Sequence, residues 1–93
     1  MRKSIHTPEY AALRAELLRI RTAAGLSQRE LAARLKVPHS WVAKVENGER
    51  RIDLVEFCWF VTSCGKDAET ASRQILRGIS GKKNDQRNGG RTK

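Results

Sequence analysis

Cysteine, aromatic residues and long apolar runs are all scarce in this chain. The two cysteines, Cys58 and Cys64, stand six residues apart. On one helix that is about 9 Å of rise, too far for a disulfide. The pair is not CxxC, and His6 and His39 lie far off in sequence, so no metal site and no cofactor is expected. Both thiols are read as buried and reduced. The longest apolar cluster, Leu54 to Val61, is broken by Glu56 and falls far short of the ~20 residues of a membrane span. The opening MRKSIHTPEY leads into no apolar core, so a secretory signal is not expected. No stretch alternates like a strand, no repeat recurs, and nothing resembles the aromatic stacking sheet of RNA-binding modules. No histidine has a partner for acid–base work, so an enzyme is not expected. A membrane protein, a disulfide-framed miniprotein or a many-domain enzyme is not expected.

Positive charge is what the chain has in excess. Its 93 residues carry 19 Lys+Arg against 10 Asp+Glu, a net charge of +9. Such a balance points to a polyanionic partner, nucleic acid or an anionic surface. The length suits one domain, or one domain and a tail. From Gly78 the apolar pattern dies. Residues 80–93 read as a disordered basic tail, with Lys82, Lys83, Arg87, Arg91 and Lys93 against Asp85. The tail is either a phosphate-binding arm or an inert end. Residues 1–6 read as a flexible basic arm and 7–79 as the folded domain; together they hold 14 basic and 9 acidic residues, so the chain is basic without its tail.

Helix signals fill that domain, and the expected fold is all-α with five helices. Thr7-Pro8-Glu9 is a start signal, followed by Tyr10, Leu13, Leu17, Ile20 and Ala24 as one apolar stripe up to Gly25. Ser27-Gln28-Arg29-Glu30 is a capping box opening a short second helix, with Leu31, Ala32 and Leu35 inward. Lys36-Val37 is a turn. Pro38 suits the first turn of a third helix, with Val42 and Val45 inward and Asn47-Gly48 as its stop. Asp53 to Glu56 is a second box before a fourth helix reaching about Cys64. Asp67 opens a fifth, to about Arg77, with Ala71, Ile75 and Ile79 inward.

Gly25 to Gly48 therefore reads as helix, tight turn, helix, with Ala32 and Ala33 at the crossing. In such a helix-turn-helix the second helix enters a major groove of DNA while the first crosses the backbone. The outward face of that second helix offers His39, Ser40, Ala43, Lys44 and Asn47, with Trp41 on its flank. Serine, histidine and lysine suit base edges or phosphates, and Ala43 suits a thymine methyl. Trp41 packs either on the fold or on the sugar-phosphate backbone.

The spaced set S-Q-x-E-L-A (Ser27 to Ala32), V-x-x-S-x-V (Val37 to Val42) and E-N-G (Glu46 to Gly48) resembles the lambda-repressor-like, Xre/Cro-type helix-turn-helix family of phage and bacterial regulators. The likeness spans about Leu13 to Ile75, roughly two-thirds of the chain. It implies base readout by Ser40 and Lys44, which His39 and Ala43 join from their place on the outward face. It also implies backbone contacts from Gln28, Asn47, Arg50 and Arg51, and Arg29 and Trp41 are expected to touch the backbone as well. Gln28 would have His39 as its neighbour while binding a phosphate and bracing the third helix. Arg21 and Glu46 match an ion pair tying the first helix to the end of the third. The main departure is His39, where the family often has glutamine, and the family's adenine-reading pair is not carried over.

The fourth helix is apolar nearly all round, either a central core helix or in part a self-association surface. Trp59, Phe60 and Ile75 are the residues expected at a homodimer interface. The reading is a homodimeric repressor of double-stranded DNA acting on a palindromic operator. It would sit in the cytoplasm on the nucleoid and take no small-molecule ligand. The alternatives are an Xre-type antitoxin that also binds a toxin partner, marked by the same apolar face, and a restriction-system controller protein.

Overall fold

The computed structural model describes residues 6–91, with side chains described as far as Ile79. Its helices are α1 (Pro8–Ala23), α2 (Gln28–Leu35), α3 (His39–Asn47), α4 (Leu54–Ser63) and α5 (Ala68–Arg91). Among the described residues there is no strand, and no helix is long and apolar enough to cross a membrane.

Each start is fixed locally. The Thr7 hydroxyl accepts from the Tyr10 amide at 3.1 Å. Ser27 and Asp53 both form complete capping boxes, with Glu30 and Glu56 reaching back to the cap amides. Asp67 accepts from the Thr70 amide and hydroxyl. These bonds satisfy amides that a helix start leaves unpaired. They also hold the Glu30, Glu56 and Asp67 carboxyls below the usual carboxylate range. For Glu30 and Asp67 the capping bonds are the leading cause; for Glu56 the Arg50 guanidinium comes first. Pro38 differs from its expected place: it is the cap of α3, not a first-turn residue, and no side chain caps that helix.

The ends follow one plan. In α1 to α4 the residue after the last turn has positive φ, and paired amides return to the final carbonyls, the Schellman arrangement. Glycine holds that position after three of the helices. After α2 it is Lys36, at φ 61°, the one described non-glycine residue with positive φ. Its Cβ meets the following carbonyl there, at a cost of about 1 kcal/mol or more. Lys36→Gly is therefore expected to stabilise the domain by about 0.5–1 kcal/mol after the chain-entropy loss. A thermal melt would show a midpoint several degrees higher; a lower midpoint would mean that the lysine side chain matters more than its backbone.

The core lies where α1, α4 and α5 close over the α2–α3 pair. Leu17, Ile20, Leu31, Val42, Val45, Phe60 and Val61 are all at most 1% exposed. Phe57, Cys64, Ala71 and Ile75 complete it. Both cysteines are free, Cys64 buried and Cys58 half-buried, and burial pushes the Cys64 thiol up from its ordinary pKa. Ala24 and Ala33 are exposed, so neither packs as expected; Ala32 alone sits at the α2–α3 crossing.

The apolar face of α4 is divided. Phe57, Phe60 and Val61 turn inward, while Leu54, Val55 and Trp59 are 73%, 55% and 58% exposed. This corrects two expected interface residues. Phe60 is fully enclosed and Ile75 is 8% exposed, so both belong to the core of one protomer and not to a surface. The reason is register: a three- or four-residue step carries Phe57 to Phe60 and Val61 along one side, leaving Trp59 on the other.

The backbone of α5 stays helical to Arg91, beyond the expected end near Arg77. The expected boundary at 79/80 thus falls inside one continuous helix. Gly78 and Gly81 each cost such a helix about 1 kcal/mol without breaking its hydrogen-bond ladder. Residues 1–5 and 92–93, and the side chains from Ser80 onward, lie outside the described residues. The expected basic arm, apart from His6, and the tail cations fall there.

Candidate nucleic-acid interface

The turn at residues 36–38 sets α3 against α2, and α1 packs across α3 from behind. At 100° per residue, Ser40, Ala43, Lys44 and Asn47 fall on one side of α3 and Trp41, Val42 and Val45 on the other, with His39 and Glu46 two turns apart along the boundary between them. Burial follows the same division. His39, Ser40, Lys44 and Asn47 are exposed and Ala43 is half-buried, whereas Val42 and Val45 are fully enclosed. Arg29, near the start of α2, is exposed, and so is Arg51 beyond α3.

The inner side of α3 is held by a charged network. Arg21 on α1 is 8% exposed and grips Glu46 with two bonds, Nε to Oε2 at 2.7 Å and Nη2 to Oε1 at 3.0 Å. Its Nη1 donates to the Leu26 carbonyl at 2.7 Å. The Gln28 side-chain amide donates to Glu46 Oε1 at 2.8 Å. The carboxylate of Glu46 thus joins α1, the start of α2 and the end of α3. Gln28 is engaged with Glu46 and not with His39, which lies two turns away at the other end of α3.

Two residues with no role expected from sequence complete the frame. Arg14, on α1, reaches the end of α3. Its Nη1 donates to the Glu46 carbonyl at 3.3 Å, where a cation favours the negative end of the helix dipole. Gly48 makes room for it: a Cβ there would lie 3.1 Å from the Arg14 guanidinium carbon, in a backbone with φ 79°. Tyr10, read only as part of the apolar stripe, accepts the Ile52 amide on its phenol oxygen at 2.8 Å. Spacing along α1 hints at neither contact, since both partners come from across the fold.

The connector after α3 separates two arginines that the sequence presents as equivalent. Arg51 is exposed, and its guanidinium has no partner among the described residues. Arg50 lies over the Trp41 ring at 5.0 Å and bonds both Glu56 carboxylate oxygens at 3.1 Å. Trp41 is half-buried and packed against the core, so of its two expected placements the fold supplies the first. Among the described residues no group of three or more His, Cys, Asp or Glu side chains is assembled to hold a metal.

The result is a rigidly backed helix with a polar, partly basic outer face, flanked by exposed arginines. That is the form of a major-groove reader. Comparison with known proteins agrees. A helix-turn-helix domain family matches residues 12–73. A solved structure, an XRE-family like protein from Pseudomonas syringae pv. tomato str. DC3000, is 45% identical to the chain. It superposes with a TM-score of 0.73 over 78% of this chain and 89% of its own. No match was found among curated proteins. With two-thirds of its length matched by the domain and its fold shared with an Xre-type structure, the chain belongs to the Xre-type helix-turn-helix family and is a DNA-binding transcription regulator.

Proposed function

We propose that the protein is a homodimeric repressor that reads a palindromic operator with α3 in the major groove. The observation that carries this is the division of α3: one side is locked by Arg21, Glu46 and Gln28, while His39, Ser40, Lys44 and Asn47 stand free on the other. His39, Ser40, Ala43 and Lys44 are the base-reading set. Arg29, Arg51 and Asn47 are placed for the sugar-phosphate backbone, with Gln28 at the start of α2 beside them. A dimer would bring two such helices to half-sites about one DNA turn apart. The mechanism of repression is occlusion of a promoter by the bound dimer. The exposed Trp59, together with Leu54, Val55 and Leu76, supports a second copy on the far side of α4 and α5.

Selection of bound sequences from a random duplex pool at about 150 mM salt tests the whole reading. An inverted repeat is expected. Absence of any enriched motif, with binding that fades as salt rises, would leave only a basic helical protein. On the selected site, Lys44→Ala and Ser40→Ala are each expected to cost about 1–3 kcal/mol, with little change on scrambled DNA. Unchanged specific affinity in both variants would mean that another face reads the bases.

The exposed apolar face of α4 and α5 also favours a second reading, an Xre-type antitoxin whose dimer binds a toxin as well as DNA. A stoichiometric second chain co-purifying from the host would establish that partner.

A further inference from the structure

We propose that Arg50 is a positioning residue for DNA recognition and not a phosphate ligand, leaving Arg51 as the backbone contact of the connector. The inference rests on the DNA-binding reading and extends it to the two arginines after α3. Three of the five N–H donors of Arg50 are already engaged within the fold. Nη1 donates to Glu56 Oε1 at 3.1 Å and to the Arg51 carbonyl at 2.6 Å, and Nη2 donates to Glu56 Oε2 at 3.1 Å. One face of the guanidinium is covered by the Trp41 ring. Turning that engaged edge to a phosphate would cost two charge-assisted bonds and a cation–π contact.

Each partner has its own place in the frame. Trp41 follows Ser40 in the first turn of α3, where His39 and Ser40 present their side chains. Glu56 is anchored by the α4 capping box, accepting the Asp53 amide at 3.0 Å while its own amide donates to Asp53 at 2.7 Å. The guanidinium therefore links the reading end of α3 to the start of α4, and its bond to the Arg51 carbonyl fixes the backbone from which Arg51 projects. Arg21 and Glu46 hold the other end of α3. The two clasps together set the angle at which the helix meets a groove. Lysine cannot replace Arg50, because a single ammonium cannot span both carboxylate oxygens and lie flat on an indole.

Salt dependence separates positioning from phosphate binding, because each phosphate contact adds about 0.9 to the slope of log affinity against log salt. The probes are the duplex enriched from the random pool and a scrambled duplex of equal length, with circular dichroism melts to check folding. Arg51→Ala is expected to weaken binding to both and to lower the slope by about one contact. Arg50→Ala is expected to weaken the enriched duplex about tenfold, spare the scrambled one and leave the slope unchanged. Arg50→Lys should not rescue it. Glu56→Gln, which keeps both arginines, should lose specific affinity in the same direction, and adding it to Arg50→Ala should lose no more. A slope that falls for Arg50→Ala as it does for Arg51→Ala overturns the proposal, as does rescue by Arg50→Lys. If Arg50→Ala does not fold, Glu56→Gln carries the test, and undiminished preference for the enriched duplex overturns it. A wild-type protein that binds both duplexes alike refutes the sequence-specific reading itself, and does so before any variant is compared.

Discussion

Glu46→Ala is expected to cost about 3–5 kcal/mol of folding stability, a large part of the ~5–15 kcal/mol a domain possesses. The substitution strands Arg21, which is 8% exposed, without its counter-ion and leaves the Gln28 amide without its acceptor. A buried cation with no counter-ion is far more costly than the pair is beneficial. Removing both charges should therefore recover much of the loss, and Arg21→Met combined with Glu46→Leu is expected to be far more stable than Glu46→Ala alone. Urea titration of the three proteins measures this. Equal losses in the single and double variants would mean that the pair, and not the stranded charge, supplies the energy. The double variant serves a second purpose. It keeps the fold but loosens the end of α3, so it should bind the selected duplex less tightly than wild type.

Phe60→Ala is expected to be as damaging, at about 3–5 kcal/mol, because the ring is fully enclosed among the core side chains. Its neighbour makes the contrast. Trp59 is 58% exposed, and Trp59→Ala should change the stability of one protomer by no more than about 0.5 kcal/mol. If a second copy covers Trp59, the wild-type melting midpoint rises with protein concentration and the Trp59→Ala midpoint does so less. Comparable destabilisation by the two substitutions at low concentration would contradict the inward register of α4. A concentration-independent midpoint in wild type would argue against the homodimer.

The helices and their starts were legible because their signals are local. Thr7, Ser27 and Asp53 each cap an amide three residues on, and neither partner depends on the rest of the fold. The outward set on α3 was legible for a similar reason: Val42 and Val45 mark the buried side, and helical period places the polar residues opposite. The α5 end was misjudged because glycine, asparagine and lysine read as a stop, whereas a helix ladder needs backbone groups and not apolar side chains. The resemblance placed Arg21 beside Glu46, but the residues alone do not, since 25 positions separate them.

Sequence by itself determined the all-α class, the helix-turn-helix segment, the positive charge and the residues offered on α3, since composition, capping and periodicity act within a few residues of chain. Tertiary structure alone decided which side of α4 is core. That helix is apolar all round, and only the packed positions of the other helices choose Phe60 over Trp59. It alone distinguished Arg50 from Arg51. Two adjacent cations are equivalent along a chain until Trp41 from one helix and Glu56 from another converge on the first and leave the second in solvent.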